Sequence, residues 1–478
     1  MLKVGLEIHT QLKTNRKLFA LSKNTTSLLD VRPNTTTSFF DVSLPGTQPK
    51  LNKEPLMYAL KTALALNCTV KETSQFDRKH YFYGDQPLGY QITQHYHPIA
   101  KDGYLRLTKY DLPEEKTIRI EQLQIEQDTG RTLYKLDNES NVDFNRSNIP
   151  LIEMVTKPDF SSVEEVRAFI KKLQQTLVNL DVCTGELETG AIRVDVNLSV
   201  DDHSRIEIKN LPTTSAIVSA IKYEYQRQCN IIKTGGAITE VETRGWSGKK
   251  TYKLRSKENA IDYRYMPDPE LPEIKLDLND IVPKIQAILP PSVDQKLDQI
   301  LNDYKIKLRD ANILMGNHKL MDYYKQLYNK CSQSGVENPI NWLTHELLGC
   351  LSKSNMDFEP SVMDVDKFVE LMVALKKQQV TKNNAKLLLM HLVNNPQDQN
   401  IPIAQLINDF DLSKTNHTET LDPVLDQVLS ENAPVVAQIV SGKTNKLKYL
   451  LGLTMRATEG KFEPKLIEEK LKERLLNL

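Results

Sequence analysis

The sequence predicts an α+β protein in which a largely antiparallel sheet occupies the first 290 residues and helices make up the rest. Three observations lead there. Segments around residues 4–12, 118–127, 149–155 and 190–200 alternate apolar and polar side chains, the period of half-buried strands. The stretches joining them vary too much in length for βαβ repeats, which favours antiparallel pairing. From about residue 291 the apolar positions recur at helical spacing instead. The shift divides the chain into a sheet domain (1–290), a helical domain (291–410) and a small helical tail (411–478).

Composition narrows the function classes. Lys+Arg and Asp+Glu both number 62, which excludes a global basic field and leaves only local patches for nucleic acid. No apolar run reaches the roughly 18 residues of a membrane span. The cysteines at 68, 183, 229, 331 and 350 have no C-x-x-C spacing, so neither a zinc knuckle nor a disulfide framework is expected, and a reducing compartment fits. Met1 is followed almost at once by a strand, with no signal peptide between.

Taken in order, the first strand places Val4, Leu6 and Ile8 on one side and Gly5, Glu7, His9 and Gln11 on the other. A carboxylate and an imidazole two residues apart, behind a glycine that leaves room for a close approach, can present ligands to a metal or phosphate. The plainer alternative is a solvated strand face. Residues 22–48 read as a long loop and 54–68 as a helix with an apolar face. The segment from Phe76 to Gln94 is dense in tyrosines and turn residues, and its Arg78 and Lys79 point to an anionic ligand. Glu126 and Asp128 share one face of the next strand. Glu153 stands alone in an apolar run and needs a cation or donors once buried. Arg193, Asp195, Asn197 and Ser199 line the polar side of a fourth strand.

Four strands thus offer Glu7, Glu126, Glu153 and Asp195 from the side away from the core. Oxygen donors without cysteine suit a hard cation, so this face reads as a platform for Mg²⁺ and nucleotide phosphate. A glycine cradle is rejected: Gly442-Lys443-Thr444 resembles the end of a phosphate loop, but the first glycine would fall at Ala437. Glu207 and Lys209 lie on a strand followed by a helix over 216–228, and Asp262–Pro269 closes the domain as an extended edge. Helices are expected at 305–314, 320–328, 341–351, 366–376 and 382–393. Asp422-Pro423 and Pro464 are expected to open tail helices, with stops at Gly442 and Gly460. Residues 441–474 carry nine Lys/Arg against five Asp/Glu, on charge alone a solvated face rather than a nucleic-acid contact.

Together, Gly5-Leu6-Glu7-Ile8-His9, Phe76-Asp77-Arg78-Lys79, Glu126–Gly130, Asp143-Phe144-Asn145-Arg146, Pro150-Leu151-Ile152-Glu153, Asp195 with Asn197, and Asp262-Tyr263-Arg264-Tyr265 resemble the GatB family, the B-type subunits of the glutamyl-tRNA(Gln) amidotransferases. Glu431-Asn432 and Met455–Lys461 resemble that family's tRNA-binding tail. The resemblance implies a glutamine-synthetase-like cradle, a helical domain and a small all-α tail. It also implies the reaction. ATP phosphorylates the side-chain carboxylate of Glu-tRNA(Gln), and ammonia from a partner amidase (the glutaminase, or A-type, component) displaces phosphate to give Gln-tRNA(Gln). A small bridging subunit would complete the assembly.

By the same resemblance, Glu7, His9, Glu126 and Glu153 hold Mg²⁺ and act in phosphoryl transfer, with Asp195 in the same pocket. Lys79 offsets the phosphate or carboxylate charge, and Arg146, Arg193 and Asn197 support the bound cofactor. The sequence departs from the family twice. The cysteines that hold zinc in bacterial members are absent around Leu18–Ser22 and Phe39–Ser43, so no zinc is expected and packing should hold this loop. Gln127 also replaces the usual second acid of the Glu126 motif. These departures resemble a fungal mitochondrial member, located in the matrix with its transit peptide trimmed; a bacterial-type cytoplasmic member is the alternative. A catalytically silent tRNA scaffold and a small-molecule ligase of glutamine-synthetase type are the competing functions. The intact Glu7/His9/Glu126/Glu153 set argues against the first and the long helical C-terminus against the second.

Overall fold

Residues 1–298 build a nine-stranded sheet because their strands keep one side uniformly apolar. This is seen in a computed structural model that describes the whole chain except residues 26–30, 135–138, 188, 257–261, 415–417, 441–445, 459, 463 and 477–478. Gly442-Lys443-Thr444, the end of the Arg255–Glu258 segment and Glu459 therefore fall wholly or partly outside the described residues. The chain forms two units, Met1–Asp298 and Gln299–Leu478.

The strands of the first unit's two larger sheets are β1 (Leu2–Gln11), β2 (Thr69–Val70), β3 (Asp77–His80), β4 (Tyr90–Thr93), β5 (Ala100–Leu107), β6 (Lys116–Gln127), β7 (Pro150–Thr156), β8 (Ile192–Val200), β9 (Ile206–Leu211), β10 (Glu242–Trp246), β11 (Thr251–Ser256) and β12 (Met266–Pro267). The large sheet runs β11-β10-β9-β8-β1-β7-β6-β5-β2, and a small sheet runs β12-β3-β4. Pairing in the large sheet is antiparallel except between β9 and β10. That exception has a cause. The helix α3 (Thr214–Lys233) connects β9 to β10, and a crossover of this kind returns the chain in the same direction.

Val4, Leu6 and Ile8 of β1 are at most 1% exposed and belong to one core cluster. Helices α1 (Lys53–Ala65), α2 (Val163–Asn179) and α3 contribute Leu60, Phe169 and Ile221 to that cluster. Ser162 caps α2 by accepting from the Glu165 amide, and Thr213 caps α3 through the Ala216 amide. Strand β6 keeps its greasy side inward although its alternation slips. Ile118 and Ile120 are followed by Leu123 and Ile125, and the register against β7 shifts between Val155 and Thr156. A bulge at this point absorbs the extra residue, so all four side chains are buried.

Packing accounts for only part of the loop after β1, contrary to expectation. Phe19 does pack edge-on against Phe40 and Phe76. At its centre, however, is a fully buried ion pair, Lys17 Nζ to Asp41 Oδ2 at 3.1 Å. Asp41 also accepts from Ser22 Oγ, the Ser38 amide and Asn148 Nδ2. A loop this rich in Ser, Asn and Asp has too few apolar side chains to close by packing alone.

The second unit is helical, including Leu308–Met315, His318–Gln333, Val365–Lys376 and Lys382–Asn394. The helix expected over 341–351 contains a π-helical stretch at Trp342–Leu347. Leu421, Leu425, Leu450, Phe462, Ile467 and Leu471 form a separate tail core. Pro464 opens the last helix as expected, but Pro423 does not open its own. That helix begins at Thr418 and Pro423 stands inside it, where its missing N–H removes one ladder bond without ending the helix. Gly460 does end its segment: φ is +70°, and a Cβ there would lie 2.7 Å from Asn384 Oδ1.

Candidate active site

The four acidic strands prove to be neighbours, β8-β1-β7-β6, in the middle of the large sheet. Register then decides which side chains meet. Glu7 pairs with Asp195, His9 with Arg193 on one side and Glu153 on the other, and Glu153 with Gln124. His9 Nε2 lies 3.9 Å from Glu7 Oε1, 3.4 Å from Glu126 Oε1 and 3.8 Å from Glu153 Oε2. Glu126 and Glu153 are 3% and 9% exposed, so their charges are largely out of water. Thr93 Oγ1 donates to Glu126 Oε2, and Gln124 Nε2 donates to Glu153 Oε2 and Thr93 Oγ1.

These few donors do not match the gathered charge. Burial, reinforced by Glu126, pushes the Glu153 carboxyl up to about 7. Burial and Glu153 likewise raise Glu7. Burial raises Glu126 too, with Lys79 working against the rise. Two overlapping sets, Glu7–His9–Asp195 and His9–Glu126–Glu153, each bring three ligand atoms within 4.8 Å of one another. Carboxylate oxygens crowded beyond their supply of donors fit a hard divalent cation.

Two lysines flank this face. Burial opposes the charge on Lys79, but Glu126, followed by Tyr265 and Glu153, raises its pKa, and its Nζ lies 4.9 Å over the Tyr263 ring. Lys209 Nζ lies 3.3 Å from Asp195 and 3.1 Å from Glu207. Burial opposes its charge as well, and Asp195 and Glu207 hold it protonated. Both lysines line one cavity of about 430 Å³, together with Tyr81, Tyr83, Gln91 and Tyr263. Lys209, Gln124, Thr93 and the tyrosine wall are not among the sequence candidates. Lys209 had a signal in its strand position beside Glu207, but only the sheet order brings it to Asp195.

The remaining candidates separate. Arg193 Nη2 lies 3.0 Å from Asp128 Oδ2, Arg146 Nε lies 3.8 Å from Asp128 Oδ1, and Gln11 Nε2 donates to the same carboxylate. The two arginines hold the Asp128 carboxyl below its usual range although burial opposes this. Asp128 therefore belongs to this charge-neutralised hub beyond the end of β6 and does not join Glu126 in the acidic cluster. Arg146 also donates to the carbonyls of Thr129 and Gly130. Asn197 pairs with Gly5. The room expected at Gly5 is bordered by backbone, since a Cβ there would lie 3.6 Å from Pro158 and Thr156.

The sequence of the sheet domain matches a known class of catalytic domain. Residues 2–281 match the model described as the GatB/GatE catalytic domain, and 322–475 match one described as the GatB domain. The mitochondrial B-type subunit of glutamyl-tRNA(Gln) amidotransferase from Komagataella phaffii is 49% identical over 98% of both chains. Its namesake in Eremothecium gossypii is 49% identical over 98% of this chain and 94% of its own, and that in Candida albicans 46% over 99% and 95%. The chain belongs to the GatB family of glutamyl-tRNA(Gln) amidotransferase subunits.

Proposed function

We propose that the acidic face of the sheet activates the side-chain carboxylate of Glu-tRNA(Gln) with ATP. The chain is a GatB-type subunit, a mitochondrial protein of translation whose complex forms Gln-tRNA(Gln) from Glu-tRNA(Gln). The observation that carries the reading is the convergence of Glu7, Glu126, Glu153 and Asp195 on His9 without enough protein donors to neutralise them.

Glu126 and Glu153 with His9, and Glu7 with Asp195, would hold Mg²⁺, which when bound offsets charge on the γ-phosphate. Lys79 and Lys209, fixed as cations at opposite flanks, bind the anionic oxygens of nucleotide and substrate. A glutamyl carboxylate oxygen attacks the γ-phosphorus, the bond to the ADP oxygen breaks, and an acyl phosphate forms. Ammonia then attacks the acyl carbon, phosphate leaves with the electron pair of the C–O bond, and the amide nitrogen sheds its extra proton. Arg146 and Arg193 act through Asp128 to keep the end of β6 in place, with Asn197 at the margin beside Gly5.

In this reading the sheet domain is a glutamine-synthetase-like cradle, the helices after 290 a connecting domain, and 411–478 a tRNA-binding tail. A partner amidase supplies ammonia, and a small bridging subunit joins the two. The test is ADP release by the assembled complex with and without Glu-tRNA(Gln), in wild type and in Glu153→Ala. Release that depends on the aminoacyl-tRNA and falls at least about 100-fold in the variant supports the reading. Release indifferent to tRNA returns a small-molecule ligase. Tight tRNA binding with no turnover in wild type leaves a scaffold.

A further inference from the structure

Six aromatic rings form a continuous chain along the edge of the acidic cluster. From Tyr83 it passes to Tyr81 (5.7 Å between centroids), Tyr263 (6.5 Å), Tyr265 (6.0 Å), His95 (3.9 Å, stacked) and Tyr96 (4.8 Å). The rings come from the loops on either side of β4 and from the segment before β12, so the small sheet assembles them. The chain is not core filling at its ends. Tyr83 is 60% exposed and Tyr96 52% exposed, although burying either ring would be favourable.

Two positive groups stand at the middle of this chain. Lys79, whose charge is favoured by Glu126 and Glu153, lies over Tyr263. Arg264, between Tyr263 and Tyr265, is exposed. Accessible rings with cations beside them are how proteins hold unpaired nucleotides, each base offering a π face and each phosphate a charge. A protein partner would more usually meet a packed apolar patch with its charges at the rim.

We infer that this ladder is the platform on which the unpaired 3′ nucleotides of the aminoacyl-tRNA stack, so that the esterified glutamate is delivered past Lys79 to the acidic face. The inference rests on the function proposed above. It assigns Tyr83 and Tyr96 as binding residues and leaves the chemistry to the carboxylates. ATP carries the same base as the tRNA terminus, so the test must separate the two.

The experiment measures KM for Glu-tRNA(Gln) and for ATP in the assembled complex, for Tyr83→Ala, Tyr96→Ala and the conservative Tyr83→Phe. Each alanine variant is expected to raise KM for the aminoacyl-tRNA about tenfold, as loss of one stacked base would. kcat should change little in every variant, the ATP KM should change little in Tyr96→Ala, whose ring is not among those lining the cavity of Lys79 and Lys209, and Tyr83→Phe should behave as wild type. An unchanged tRNA KM in both alanine variants overturns the platform. So does a rise confined to the ATP KM, which would make the rings a nucleotide wall. Dissociation of the complex on size exclusion in either variant would make them a protein contact. Wild type lacking tRNA-dependent ADP release would instead sink the proposed function, a failure distinguishable from these.

Discussion

Two places in the sheet domain take charge out of water, and they do so in opposite ways. Behind β1, Lys17 meets Asp41 one to one, and the remaining capacity of Asp41 is taken by Ser22, Ser38 and Asn148. On the sheet face, Glu7, Glu126, Glu153 and Asp195 crowd against each other around one imidazole, with Lys79 and Lys209 only at the flanks. The first arrangement is complete and serves to close a loop. The second is incomplete, and it is on this that the proposed binding of a cation and a phosphate rests. A buried charge signals structure when its partners balance it and function when they do not.

The sharpest way to break the comparison is to unbalance the closed pair. Asp41→Ala leaves the Lys17 ammonium buried without its counterion and is expected to lower unfolding free energy by about 3–5 kcal/mol, read from urea denaturation. A change below about 1 kcal/mol would mean that the loop closes by packing after all.

The next test concerns pH. Glu153 is raised from the usual carboxylate range to about 7 in the folded chain, so the folded state binds its proton more tightly than the unfolded state. Its contribution is fully present below about 4.5 and is lost as pH rises through about 7, a difference of order 3 kcal/mol. In chelator, the Tm should therefore fall over this window, and Glu153→Gln should flatten the fall. Excess Mg²⁺ should do the same by supplying the missing positive charge. A profile identical with and without Mg²⁺ would contradict the cation reading of the face.

The smallest effect expected is at Lys209. It is partly exposed and its partners are near the surface of the sheet, so Lys209→Met should change stability by no more than about 1 kcal/mol. Its place in the cavity opposite Lys79 predicts a rise of about tenfold in the ATP KM, with kcat less affected. Steady-state kinetics of the assembled complex would separate the two.

Much of the site was legible because strand periodicity is local. Glu7, His9, Glu126, Glu153 and Asp195 could be placed on the polar side of their strands from alternation alone. The greasy surroundings of Glu153 already demanded a partner. Counting by twos also put Asp128 on the side of Glu126, and its partners Gln11 and Arg193 do lie on that polar side, but the period could not show that Asp128 is taken up by these donors and Arg146 just past the end of β6. Pro423 misled because a proline marks a helix start only by preference, and the tail helix extends one turn before it.

The sequence by itself determined the class of the fold, the side of each strand that faces the core, the acid and base inventory of the site and, through its ordered motifs, the family. These depend on spacing along the chain, which a single sequence records in full. Only the tertiary structure decided that β8, β1, β7 and β6 lie side by side, that Lys209 arrives beside Asp195, and that a buried lysine closes the first loop. It also decided that tyrosines from residues 81–83 and 263–265 join one aromatic chain. Those facts depend on strand order and register between segments far apart in sequence, set by which apolar faces pack together.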